Sequence, residues 1–267
     1  PVDPAPTRMD IKKYPLEEVS NLNFKVFSQF NEDLIIQYLI NQINITNRIF
    51  VELGVENYEE ANTRLILEKN NWSGLIVDSS RENINHILKQ NYFWRHSLIA
   101  NNKFITKENI NQILTENNIS GKIGLLSIDL DGNDLWIWNE IQVIEPDIVI
   151  IEYNAKFGKD KSVSIKYDQN FIRKNTGIEK IVYGASLKAL IKISEQKGYS
   201  FVTTNQNGNN AFFVRDDLLS EKVRKISLEK GFKNSLFREY LSDNERQFID
   251  DKNLEEHIYK SNKIVEI

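Results

Sequence analysis

Residues 48–54 read RIFVELG. Four apolar residues around one carboxylate, closed by a glycine, describe a short strand buried on both faces and ending in a tight turn. The same signature returns downstream. Residues 74–77 (GLIV) stop at Asp78, and residues 96–100 form a weaker third run. Residues 123–130 (IGLLSIDL) stop at Asp131-Gly132, and residues 147–153 (DIVIIEY) form a fifth. Helical patterns stand between them at 58–69, 81–90, 107–117, where Thr106 is a candidate cap, and 135–141. Strands alternating with helices predict a parallel, doubly wound sheet. Right-handed crossovers bring its strand ends to one edge, where ligands bind. At that edge fall Glu52, Gly54, Asp78, Asp129, Asp131, Glu152 and Asn154.

The flanks extend this frame. Before the sheet, Ser28 precedes Leu34, Ile35, Tyr38, Leu39 and Ile43, the spacing of a capped helix. After it, residues 155–180 are polar and aperiodic, and a connection of that length predicts a cover over the ligand edge. A helix over 186–196 is stopped by Gly198. Residues 199–204 and 211–215 flank an Asn207-Gly208 step, so the sheet should end in an antiparallel hairpin. The expected organisation is a lead-in over 1–26, a catalytic domain over 27–215 and a charged, helical extension over 216–267. Met9 is the only methionine and reads as the natural start, with residues 1–8 as an appended remnant.

Composition narrows the function. A formal net charge of −4 over 267 residues opposes a general nucleic-acid binder, which needs a basic face. The chain has no cysteine, hence no disulfide, thiolate metal site or cysteine nucleophile. No apolar run reaches the roughly 20 residues of a membrane span, and no signal peptide is visible. The expectation is a cytoplasmic protein with a small-molecule partner, and a homo-oligomer stays open. His86, His96 and His257 stand apart from the other candidates and are assigned no role.

The edge residues carry the chemistry. Gly54 permits a tight turn against a ligand, and the following helix offers free N–H groups. The later glycines of a dinucleotide loop are missing, and Glu56, Asn57 and Glu59 stand there instead. Adjacent carboxylates repel a pyrophosphate and suit a ligand that carries positive charge. Asp78 can accept two ribose hydroxyls, or can cap the next helix through Asp78-Ser79-Ser80. Asp129-Leu130-Asp131-Gly132-Asn133-Asp134 is the densest acidic cluster. Strand alternation predicts Asp129 and Asp131 on one side, facing Glu152 and Asn154. They could act as general base, as partners of a cationic ligand, or as a divalent-cation site.

The segments FSQFNED, RIFVELGVENYEEANTR, WSGLIVDSS, LLSIDLDGNDLWIW, DIVIIEYN, VYGASL and NGNNAFFV together resemble the FkbM-type branch of class I methyltransferases, over about residues 27–215. The resemblance implies a Rossmann-like α/β fold with a mostly parallel seven-stranded sheet, S-adenosylmethionine (SAM) as methyl donor, and O-methylation of a small metabolite or sugar. Carried over, it places Glu52, Gly54, Asp78, Ser79 and Asp129 at the cofactor, with Asp129 and Asp131 catalytic. Gln29, Glu152, Asn154, Tyr183 and Ser186 would bind the acceptor. The best acceptor expectation is a capsule or other surface-glycan precursor, with a phosphoryl oxygen second. Relief of the acidic cluster by the cationic groups of SAM is favoured over a metal at Asp129, Asp131, Glu152 and Asn154. The rivals are an NAD-linked sugar-modifying enzyme and a non-catalytic interaction module.

Overall fold

The computed structural model describes residues 11–173, 180–235, 258–259 and 263–267. Five strands follow the predicted runs: β1 (Ile49–Leu53), β2 (Ser73–Asp78), β3 (Leu98–Asn102), β4 (Gly121–Ile128) and β5 (Ile144–Glu152). A short β6 (Val163–Ile165) precedes the hairpin strands β7 (Tyr199–Thr204) and β8 (Asn210–Arg215), and β9 (Ile264–Glu266) closes the chain. The main sheet runs β3-β2-β1-β4-β5-β8-β7. β1 to β5 pair in parallel, and β8 lies antiparallel to both β5 and β7. This is a Rossmann-like α/β fold, its mostly parallel seven-stranded sheet ending in an antiparallel hairpin where Asn207-Gly208 predicted it.

Helices cover both faces: α1 (Leu16–Val19), α2 (Glu32–Gln42), α3 (Arg64–Asn70), α4 (Arg81–Ile87), α5 (Asn91–Arg95), α6 (Ile110–Glu116), α7 (Asp134–Glu140), α8 (Leu187–Gln196) and α9 (Leu228–Gly231). Strand alternation divides the apolar residues between two cores. Val149 and Ile151 of β5 face one, and Ile148 and Ile150 face the other. Burying each such side chain contributes about 1.5–3 kcal/mol.

Helix starts depart from the expected positions for local reasons. α3 begins at Arg64 rather than near residue 58, because Glu56 and Tyr58 adopt positive φ (47° and 63°) and break a helical run. At α2, Ser28 contributes as expected, its Oγ accepting the Asp33 N–H at 3.0 Å, but the first helical residue is Glu32. α6 begins at Ile110, and Thr106 does not cap it; the Thr106 N–H instead donates to Asn109 Oδ1 at 2.9 Å.

The lead-in and the extension both join the fold. Leu16 and Val19 are buried in the core beneath α2. Of the helical tail expected over 216–267, the described residues hold a 3-10 turn at Asp216–Leu218, the four-residue helix α9, helical residues at Ile258 and Tyr259, and the strand β9; the remainder of that expectation, like Met9 and His257, lies outside the described residues. The stretch expected to be aperiodic contains β6, paired antiparallel with β9. Phe157, Val163, Ile165, Ile181, Val182 and Ile258 pack there as a small third core. Three residues are too few to register as alternation, and the partner strand is about a hundred residues away. Among the described residues no helix is long and apolar enough to cross a membrane.

Candidate active site

The carboxyl ends of β1, β2, β4 and β5 open into a cavity of about 530 Å³. Gly54 makes its floor. Its φ is 79°, and a Cβ there would fall 1.7 Å from the Asp129 carbonyl oxygen. The Gly54 N–H donates to Val77 O and the Asp129 N–H to Leu53 O, both at 2.9 Å, so three strand ends are tied at this glycine.

Glu52 and Asp78 stand on either side, and the chain itself supplies their donors. Glu52 accepts the N–H groups of Asn62 (2.8 Å) and Thr63 (3.1 Å) and the Thr63 hydroxyl (2.5 Å). It thereby caps α3 from the neighbouring strand, and burial raises its carboxyl to about 7. Asp78 Oδ2 accepts Val55 N (3.2 Å) and Glu56 N (2.8 Å), and its Oδ1 accepts Ser80 N (2.7 Å) and Asn83 Nδ2 (3.3 Å). Four donors fill the roughly four acceptor sites of a carboxylate. The helix cap itself is Ser80, which accepts the Asn83 N–H. Both Glu52 and Asp78 line the cavity, with Ser79, Phe104 and Ile105 at the β2–β3 end.

The loop after β4 is built differently. Asp131 has φ 55°, so the chain reverses there rather than continuing the strand. Asp129 and Asp131 do converge with Glu152, one oxygen of each lying within 4.8 Å of the others, but through this turn and not through strand alternation. Asp134 folds back to accept the N–H groups of Leu130 (2.7 Å) and Gly132 (2.9 Å), and burial raises its carboxyl to about 6. Among the described residues no hydrogen bond is donated to the carboxylates of Asp129 or Glu152. Glu152 is 7% exposed, and its Oε2 is buried without a partner. Desolvation first, then the neighbouring carboxylates, pushes both groups well above the usual range.

Arg173 meets this cluster from the long connection. It forms an ion pair with Asp131, donates from Nε to Lys180 O at 3.0 Å, and lies 3.6 Å over the Tyr183 ring. Phe171 fits against Gly132, where a Cβ would come within 2.3 Å of its ring. Phe171, Arg173 and Lys180 line the cavity, so this connection does border it; residues 174–179 lie outside the described residues.

The remaining site expectations divide. Gln29 and Tyr183 line the cavity. Asn154 and Ser186 do not, and both need correction. Asn154 is buried, donates to the carbonyls of Ile181 (2.8 Å) and Tyr183 (3.0 Å) and accepts the Lys156 N–H (3.0 Å). Its carboxamide closes the backbone, so it reaches neither a metal nor an acceptor. Ser186 caps α8 through Ala189 N (3.2 Å) and accepts Val163 N (3.1 Å). Both sit beside the site in sequence, but their polar atoms are already matched.

Sequence reasoning missed Arg173, Asn133, Asn209 and Asn210, which also line the cavity. It missed as well how the cavity's far wall is held. Asp33 Oδ2 accepts the N–H groups of Val26 (2.8 Å), Phe27 (2.6 Å) and Ser28 (2.8 Å). Glu32 Oε1 accepts the side-chain amides of Asn205 (2.6 Å) and Asn210 (3.0 Å). The FNED run thus clasps the loop carrying Gln29 to the β7–β8 hairpin. The density of acids and amides in FSQFNED and NGNN was the available signal.

No family model and no curated protein matches this chain. Solved structures similar to it include an O-methyltransferase from Bacillus cereus in complex with S-adenosylhomocysteine (13% identity, 79% of this chain and 91% of that one, TM-score 0.41). Another is M. capricolum TrmK in complex with S-adenosylhomocysteine (13% identity, 73% and 74% coverage, TM-score 0.41). A third is a SAM-dependent methyltransferase from Clostridium acetobutylicum (11% identity, 69% and 90% coverage, TM-score 0.43).

Proposed function

We propose that this chain is a SAM-dependent O-methyltransferase of the FkbM type, acting on a hydroxyl of a small polyhydroxylated acceptor such as a surface-glycan precursor. The observation that carries the reading is the cavity itself. It lies across the β1, β2, β4 and β5 ends of the class I methyltransferase sheet, with Gly54 as its floor and acidic residues on both sides. SAM would supply an activated methyl group on a positively charged sulfur. The acidic wall of Glu52, Asp129 and Glu152 favours a cation over a pyrophosphate.

The chain's residues then divide the work. Ser79, Phe104 and Ile105 line the end suited to a nucleoside. Asp78 can take ribose hydroxyls only by releasing a donor, and the long contacts from Val55 N (3.2 Å) and Asn83 Nδ2 (3.3 Å) are the ones to yield. At the other end Gln29, Asn209, Asn210 and Tyr183 offer amides and a hydroxyl, which suit a sugar-like acceptor. Asp131 and Glu152 bracket that end, and a carboxylate there can accept the acceptor's hydroxyl proton. Fixing donor and acceptor in line supplies much of the acceleration in such a displacement.

Calorimetric titration tests this. S-adenosylhomocysteine should bind at one site per chain, and at a hundredfold excess over its dissociation constant should stabilise the fold by about 2.7 kcal/mol. NAD should give no heat. Binding of NAD but not S-adenosylhomocysteine would put the rival dehydrogenase-like reading in its place, and binding of neither would leave a non-catalytic module.

A further inference from the structure

We infer that Asn209 and Asn210 form a specificity-determining pair that takes a neutral hydroxyl of the acceptor, Asn209 donating to it and Asn210 accepting from it, with Glu32 as the positioning residue that fixes this polarity. The inference rests on reading the cavity as a methyl-transfer site and names the group that its far wall recognises.

The first observation is that neither carboxamide is free to turn over. Orientation starts at Asn205, whose Oδ1 accepts three consecutive backbone N–H groups, those of Gly208, Asn209 and Asn210, each at 3.1 Å. Its Nδ2 is the end left to donate, and it donates to Glu32 Oε1 and to Asn209 Oδ1, both at 2.6 Å. The oxygen of Asn209 is thereby engaged behind the hairpin. Glu32 Oε1 also accepts Asn210 Nδ2 at 3.0 Å. A carboxylate only accepts, so Asn210 turns its nitrogen toward Glu32 and its oxygen away. Two neighbouring amides are set in opposite senses by backbone groups that neither can reorient.

The second observation is what this leaves over. Both residues line the cavity and are buried, at 6% and 4% exposure. Asn210 Oδ1 is buried without a partner. Among the described residues Asn209 Nδ2 makes no hydrogen bond. The backbone beneath them is held as well: the Tyr153 N–H donates to Asn209 O at 2.7 Å, and Gly208, at φ 76°, lies so close to Asn234 that a Cβ would fall 2.6 Å from its carbonyl oxygen. The wall is built before a ligand arrives.

The third is chemistry. One unused donor beside one unused acceptor selects by polarity. A carboxylate or a phosphodiester only accepts and leaves Asn210 Oδ1 unmatched. An ammonium only donates and leaves Asn209 Nδ2 unmatched. A hydroxyl does both. A site built to bond a hydroxyl rejects analogues that lack it, because its own buried polar groups are then left unpaired. The part of the acceptor that meets this hairpin is therefore a sugar-like hydroxyl and not an anionic group.

The experiment titrates the full chain with myo-inositol, a neutral ring with axial and equatorial hydroxyls, and in parallel with sulfate, an anion that only accepts. Binding is read from the NMR shifts of the backbone and side-chain amides of residues 208–210. myo-Inositol should give saturable shifts there and bind at least tenfold more tightly than sulfate. Asn209→Ala and Asn210→Ala should each weaken myo-inositol binding about fivefold or more. Gln206→Ala, at an exposed position of the same hairpin, should bind as the natural protein does. In Glu32→Gln the new amide can donate to Asn210 Oδ1 and let that carboxamide turn over. The preference for myo-inositol over sulfate should then narrow at least fivefold, a ratio that loss of stability alone would not move. Thermal unfolding verifies the fold of each variant, and the two asparagine variants decide the matter if Glu32→Gln does not fold. No saturable shift, an equal response to sulfate, or an unchanged ratio in folded Glu32→Gln would overturn the inference. S-adenosylhomocysteine, titrated separately, keeps the two readings apart: its binding without a myo-inositol response removes only the hydroxyl pair, whereas a myo-inositol response without its binding removes the transferase.

Discussion

Asp33 and Glu152 are both buried carboxylates, and the chain treats them in opposite ways. Three consecutive backbone N–H groups converge on Asp33 Oδ2 while its Oδ1 has no partner, whereas among the described residues no hydrogen bond reaches either oxygen of Glu152, whose Oε2 is buried. Burial alone therefore does not distinguish a structural acid from a functional one. Supply of donors does. Asp33 solves a backbone problem, holding residues 26–28 so that Gln29 reaches the cavity. Glu152 is held by the sheet, opposite Asn210 on β8, in a place where the fold derives no hydrogen bond from it. A group kept at such cost is expected to be matched by something the fold does not contain.

The sharpest way to break this comparison is at its structural end. Asp33→Ala removes a charged acceptor from three backbone donors, at exposed Val26, half-buried Phe27 and buried Ser28, and a hydrogen bond to a charged group is worth about 1.5–3 kcal/mol. Urea unfolding should show a loss of about 3 kcal/mol or more. A loss below about 1 kcal/mol would mean that residues 26–28 rearrange freely and that the clasp is not structural.

The next test uses pH. Glu52 is raised from 4.5 to about 7 and Asp134 from 3.8 to about 6, both chiefly by burial. Asp129 and Glu152 are raised in the same direction. The folded state therefore binds more protons than the unfolded state across this range. Their contribution to stability is full below the unfolded values and is lost as pH rises through about 6 and 7. Ligand-free protein should be less stable at pH 8 than at pH 5.5, by on the order of 2 kcal/mol. Equal stability at the two pH values would mean that these acids are ionised and already balanced in the folded protein.

The smallest expected effect lies at a corrected residue. Ser186→Ala removes the cap of α8, and a lost cap costs about 1 kcal/mol. S-adenosylhomocysteine affinity should not change, because Ser186 is absent from the cavity wall. A tenfold weaker affinity at unchanged stability would return Ser186 to the site.

These contrasts explain what could be read in advance. Strand ends were legible because buried parallel strands are short apolar runs closed by Gly54, Asp78 or Asp131-Gly132, and the polar residues at those closures are forced to one edge. The same rule nominated Asn154 and Ser186, since spacing reports where a side chain stands and not whether the backbone already engages it. Arg173 was hidden because its partners, Asp131 and Tyr183, meet it only through the folded connection. The clasp was hidden for a related reason: Glu32 meets Asn205 and Asn210 across 173 and 178 residues of chain.

The most direct test of the account is Glu152→Gln, which keeps the shape and removes the charge. If Glu152 is held for a ligand, the variant should unfold at the same urea concentration as the natural protein or higher, because a buried like-charge repulsion is relieved. Methyl transfer from SAM to a sugar acceptor, followed by mass spectrometry, should meanwhile fall at least a hundredfold. A variant destabilised by about 2 kcal/mol or more, with transfer per folded molecule unchanged, would show that Glu152 is structural like Asp33, and the distinction between the two acids would fail.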